Sequence, residues 1–83
     1  MQMDYITFRS VTPAQRGQRM LQSAGIDCNL QRTPRWMEEK GCGYCLRLRS
    51  EQTPRAVMLL QENHLPFSKV YTNTDGMVQE QRL

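Results

Sequence analysis

Phe8-Arg9-Ser10-Val11-Thr12-Pro13 and Leu48-Arg49-Ser50-Glu51-Gln52-Thr53-Pro54 share one grammar: an apolar residue, then Arg-Ser, then Thr-Pro. An alternating stretch precedes each copy. In each, a hydroxyl residue ahead of proline marks the start of a helix. The correspondence continues past the helix starts, with Leu21-Gln22 recurring at Leu60-Gln61 and Ile26 at Leu65. One βαβ unit is therefore used twice. Such a duplication implies an α+β, ferredoxin-like βαββαβ plan, with two helices on one face of a four-stranded antiparallel sheet in the order 4-1-3-2. The competing explanation is chance recurrence, because cap signals are short and common.

Working outward, Tyr5-Ile6-Thr7-Phe8 alternates as a strand does. Thr12 then reads as a cap, Pro13 as the first helical residue and Gln15 as the far side of a capping box. Ala14, Gly17, Met20, Leu21 and Ala24 follow on one helical face, and Gly25 is placed to end the helix. Ile26 to Leu30 alternates as a second strand and stops at Thr33-Pro34. A polar loop carrying Trp36 and Met37 leads to Gly41-Cys42-Gly43. Beyond it Tyr44, Leu46 and Leu48 alternate with Cys45, Arg47 and Arg49, the pattern of a strand with one covered face. The second helix carries Ala56, Val57, Leu60 and His64 on one stripe, and Val70-Tyr71 belongs to the last strand. This gives one domain over residues 1–71 and a polar tail over 72–83 that is expected to fray.

A chain of 83 residues has room for a single core. No apolar run is long enough to cross a membrane as a helix. The start of the chain lacks the basic and apolar regions of a secretory leader. Three cysteines without such a leader suggest reduced thiols in a cytoplasmic setting rather than a disulfide framework. The net charge of +3 comes mostly from arginines, since Lys40 and Lys69 are the only lysines. These arginines are dispersed, which reads as a solvated face or as a patch for an anionic partner.

The chemistry available is thiol chemistry. In a 4-1-3-2 sheet the end of the first strand, the start of the first helix and the start of the third strand share one edge. Cys42 is thereby placed near the Thr12 helix start, where backbone N–H groups favour an anion and Arg9 and Arg35 can add charge. A thiolate is the reactive form, and such surroundings lower a cysteine pKa. Gly41 and Gly43 leave the sulfur approachable because they have no side chains. The alternative is that both glycines only shape a turn and Cys42 fills space.

Ile6-Thr7-Phe8-Arg9-Ser10-Val11-Thr12, the helix end Ala24-Gly25-Ile26, the Thr33-Pro34-Arg35 turn, Cys42-Gly43 leading into Leu46-Arg47-Leu48, and the second helix ending near Phe67 together resemble the selenium/sulfur (Se/S) carrier protein-like family. The resemblance spans Asp4 to Tyr71. It implies that Cys42 holds a persulfide or selenide sulfur, loaded by a cysteine desulfurase-like donor and passed to an acceptor carrier or enzyme. It further implies that Arg9, Ser10 and Arg35 stabilise the anionic chalcogen. A carrier of this kind is not an enzyme in the turnover sense and needs no cofactor. The chain departs from the family pattern in two places: Glu38-Glu39-Lys40 stands where a serine-rich stretch is expected, and Cys45 is additional.

Cys45 opens rival chemistry. Cys42-Gly43-Tyr44-Cys45 has the spacing of a dithiol redox site, with Cys45 as resolving thiol. Cys28, Cys42, Cys45 and His64 also supply a zinc ligand set by count, although a single CxxC is a weak signal and no metal site is expected. A third class is a non-catalytic interaction module. The glycine-aromatic strings of RNA-binding sheets are missing, so a nucleic-acid partner is not expected. An exposed edge strand is the feature that would pair two chains into a homodimer.

Overall fold

The computed structural model describes residues 2–34, 43–74 and 76–81. Chain order is β1 (Met3–Phe8), α1 (Val11–Ser23), β2 (Cys28–Arg32), β3 (Tyr44–Arg49), a short 3-10 turn (Ser50–Gln52), α2 (Thr53–Glu62), β4 (Val70–Thr74) and β5 (Met77–Gln81). The strands form one antiparallel sheet in the order β2-β3-β1-β4-β5. Read from the other edge, the first four strands stand 4-1-3-2. The correction is the fifth strand. Residues expected to fray instead extend β4 to Thr74 and add β5 beyond it, with Val70 opposite Gln81 and Thr74 opposite Met77.

Alternation decides the two faces of the sheet. Ile6, Phe8, Leu46, Leu48 and Val70 point to the helices and close the main core with Ala14 and Leu21 of α1 and Ala56, Val57 and Leu60 of α2. The intervening positions make a smaller cluster on the opposite face, where Tyr5, Cys45 and Tyr71 are buried against Met3 and Val78. Gly17 sets how closely α1 lies on the sheet: a Cβ there would meet Phe8 Cζ at 3.1 Å and Leu46 Cδ1 at 3.3 Å.

Both helices end in the same device. Ile26 N–H donates to the Leu21 carbonyl and Gly25 N–H to that of Gln22, while Leu65 N–H donates to Leu60 and His64 N–H to Gln61. These are Schellman ends, each followed by an apolar residue that folds back onto the core. The duplication legible in the sequence as Ile26 and Leu65 is thus physical. Its two copies differ at the left-handed residue, Gly25 at φ 82° in one and His64 at φ 54° in the other. His64 accordingly lies beyond α2 and not on its stripe.

The helix starts also shift from expectation. Ser10, extended at φ −145°, caps α1, and Thr12 sits inside the first turn. Proline is tolerated anywhere in that turn because the first N–H groups have no partner within the helix. Thr-Pro therefore locates the turn but not its first residue. Gln52 likewise precedes α2, and Thr53 Oγ1 donates back to the Arg49 carbonyl at 3.5 Å.

Asp4 is a buried carboxylate on the helix face. Ser50 Oγ donates to its Oδ1 at 2.5 Å, and Gln81 Nε2 donates to its Oδ2 at 2.9 Å and also to Thr72 Oγ1. These bonds tie β5 to the start of the second βαβ unit and account for the order of a strand with so little apolar surface.

Candidate functional site

Three chain segments meet at one end of the sheet. Phe8 stands opposite Tyr44, and Arg32 opposite Tyr44 on the other side, so the end of β1, the end of β2 and the start of β3 lie together. Thr33 N–H donates to the Gly43 carbonyl at 3.1 Å and carries that pairing one step past the strands. Arg9 and the start of α1 follow directly from Phe8. The segment entering β4 is held at the same end: Thr7 N–H donates to the Lys69 carbonyl at 2.8 Å, Ser68 N–H to the Thr7 carbonyl at 2.7 Å, and Lys69 N–H to Thr7 Oγ1 at 3.0 Å.

Among the described residues, cationic side chains collect at this end. Arg9 and Arg32 are exposed here, and Lys69 forms a 3.3 Å ion pair with Glu80. The α1 start adds partial positive charge from unbonded N–H groups. Ser10 makes no side-chain capping bond, which leaves those groups and its own hydroxyl for an incoming anion. Arg32, which the sequence reading did not single out, stacks its guanidinium over Tyr44 at 5.9 Å from the ring centroid. Its signal was visible as the last residue of an alternating stretch that ends at Thr33-Pro34. Thr33 Oγ1 is buried here with no hydrogen-bond partner among the described residues.

Among the expected site residues, Arg9, Ser10, Thr12 and Gly43 gather at this end of the sheet. Cys42, Gly41 and Arg35 lie outside the described residues. Cys45 follows Gly43 and Tyr44 but faces away from the helices, opposite Thr7 on one side and Gln31 on the other, with no exposed surface.

Cys28 belongs elsewhere. It pairs with Leu48 near the far end of β3, faces the helices, and its Sγ points to the Gln18 carbonyl at 3.9 Å. Burial, reinforced by the nearby Asp27 carboxylate, pushes its thiol pKa up. Cys28 and Cys45 occupy opposite faces, so the meeting that the zinc reading required does not occur. Among the described residues no group of three His, Cys, Asp or Glu side chains could hold a metal. No helix among them is long and apolar enough to cross a membrane.

The model of one family, described as "Putative Se/S carrier protein-like", matches residues 4–72. The chain belongs to this Se/S carrier protein-like family. The match begins at β1 and ends within β4, so it takes in both βαβ units and stops short of β5. No curated protein and no solved structure matches the chain significantly. The edge strand β5 lies beyond the matched region.

Proposed function

We propose that the protein carries a sulfur or selenium atom on Cys42 and relays it to an acceptor protein. The observation that carries this reading is the family match, taken with the Phe8–Tyr44 register that sets Arg9 and the α1 start beside the strand Cys42 leads into. In the loading step the Cys42 thiolate attacks the outer sulfur of a donor persulfide. The donor S–S bond breaks, a Cys42 S–S bond forms, and the donor leaves as a thiolate. No net oxidation occurs, so no cofactor is required. The product persulfide is anionic at neutral pH, and the cations and N–H groups at this end of the sheet favour it.

Each loaded molecule is consumed by one transfer, so the protein acts as a stoichiometric carrier in a reducing, cytoplasmic setting. Its partners are a cysteine desulfurase-like donor and an acceptor carrier or enzyme. A single-thiol carrier is favoured over a dithiol couple because Cys45 is wholly buried, whereas a resolving thiol has to be reached. The test is persulfide loading read by intact mass. After incubation with a desulfurase and cysteine, wild type, Cys45→Ser and Cys28→Ser should gain one sulfur and Cys42→Ser none. Undiminished loading of Cys42→Ser would remove the role from that residue.

A further inference from the structure

Two cavities run together between α1 and the segment joining α2 to β4. The first, of about 540 Å³, has Arg9 and Pro13 on one wall and Pro66 to Lys69 on the other. The second, of about 440 Å³, lies between Arg16, Arg19 and Met20 on one side and Asn63 and Leu65 on the other. Pro13 and Arg16 are one helical turn apart, and Leu65 and Pro66 are chain neighbours, so the two cavities adjoin and are taken together as a groove along α1. Its floor is apolar, formed by Pro13, Met20, Leu65 and the half-buried Phe67.

Its described lining residues include four cations and no carboxylate, and of the four only Lys69 has an ion pair among the described residues, with Glu80. Arg9, Arg16 and Arg19 are exposed, and the ion pairs among the described residues are Arg49–Glu51 and Lys69–Glu80. A surface helix commonly balances its cations with carboxylates three or four residues away. The α1 sequence, Val-Thr-Pro-Ala-Gln-Arg-Gly-Gln-Arg-Met-Leu-Gln-Ser, contains none. Among the described residues, the charge of Arg9, Arg16 and Arg19 is thus left for another molecule.

We propose that this groove docks an acidic, partly apolar peptide segment of a partner protein. Its carboxylates pair with Arg9, Arg16 and Arg19, and its apolar side chains seat on Pro13, Met20 and Phe67. The inference rests on the carrier reading in one respect: Arg9, at one end of the groove, follows Phe8, which stands opposite Tyr44 at the start of β3, the strand that Cys42 precedes in the sequence, so the docked partner is the donor or the acceptor. A nucleic acid fits less well, since stacking needs exposed aromatic faces and the one aromatic among the described lining residues, Phe67, is half-buried.

The test is an amide chemical-shift titration of the full chain carrying Cys42→Ser, which keeps thiol chemistry out of the measurement. The probes are a peptide alternating Glu with Leu and Phe, the same peptide with Gln in place of Glu, and a single-stranded oligonucleotide. Saturable shifts at Arg16, Met20, Leu65 and Phe67 are expected with the Glu peptide, weakening as salt rises. Binding should fall about tenfold in Arg9→Glu/Arg16→Glu/Arg19→Glu, the combined effect of three exposed ion pairs. Arg16→Glu alone gives a smaller loss in the same direction and serves if the triple variant fails to fold. Absence of saturation, equal binding of the Gln peptide, or tighter binding of the oligonucleotide on the same residues would each overturn the proposal. Loading of Cys42 is measured without this peptide, so either reading can fail while the other stands.

Discussion

Gly17→Ala tests whether the α1 helix is held against the sheet as closely as described. The added Cβ would lie 3.1 Å from Phe8 Cζ, 3.3 Å from Leu46 Cδ1 and 3.5 Å from Leu60 Cδ2, against an optimum of about 3.5–4.0 Å for carbon pairs. Phe8, Leu46 and Leu60 are fully buried, so none can swing into solvent to make room. Overpacking of this kind costs about 1–3 kcal/mol. Alanine returns up to about 1 kcal/mol of helix propensity. The expected net effect is a destabilisation of about 1 kcal/mol, or roughly 4–8 °C in Tm for a domain of this size. Urea denaturation followed by circular dichroism measures it. Phe8→Leu supplies the control, because it removes Cζ. In that background Gly17→Ala should be neutral or stabilising, a coupling of about 1 kcal/mol. A stabilising Gly17→Ala in the parent chain, or equal effects in both backgrounds, would refute the close approach.

Further outcomes follow from other parts of the fold. His64→Gly should raise stability by about 0.5–1 kcal/mol in thermal denaturation, since glycine adopts the left-handed conformation without a Cβ penalty. Asp4→Ala should cost about 2–3 kcal/mol, having removed the acceptor of two hydrogen bonds, and hydrogen exchange should show β5 amides losing protection before those of β1 and β3. Cys28 should resist alkylation in the native state. Its thiol pKa is raised on folding, so its contribution to stability is complete below the unfolded thiol pKa and is lost as pH rises toward the folded value. Urea midpoints should therefore decline at alkaline pH, and Cys28→Ala should flatten that decline.

The parts of the fold legible in the sequence are those written in alternation and in caps. Ile6 and Phe8 against Tyr5 and Thr7 assign the faces of β1, and the Ile26–Leu65 recurrence marks two equivalent helix ends. The fifth strand was not legible because its order comes from backbone pairing and from Gln81 reaching Asp4, and neither leaves an apolar period in Met77-Val78-Gln79-Glu80-Gln81. His64 continued the helical spacing of Leu60, yet the backbone turns left-handed there, and spacing carries no record of φ. In the candidate site, the convergence of Arg9, Ser10 and Gly43 followed from topology alone. The contribution of Arg32 did not, because it depends on which residue of β2 stands opposite Tyr44. The complete burial of Cys45 was equally hidden, since it depends on a cluster with Tyr5 and Tyr71 of β1 and β4, on the sheet face away from the helices.

The central claim is that the start of β3 lies in surroundings that favour a thiolate at Cys42. The most direct measurement is the Cys42 pKa by pH-dependent alkylation with site assignment by mass spectrometry, with the buried Cys28 as internal reference. The account predicts a Cys42 value well below the free-thiol reference of about 8.5, at that residue alone. A Cys42 that titrates at or above the reference would contradict it, and would leave the Cys42-Gly43 turn as architecture.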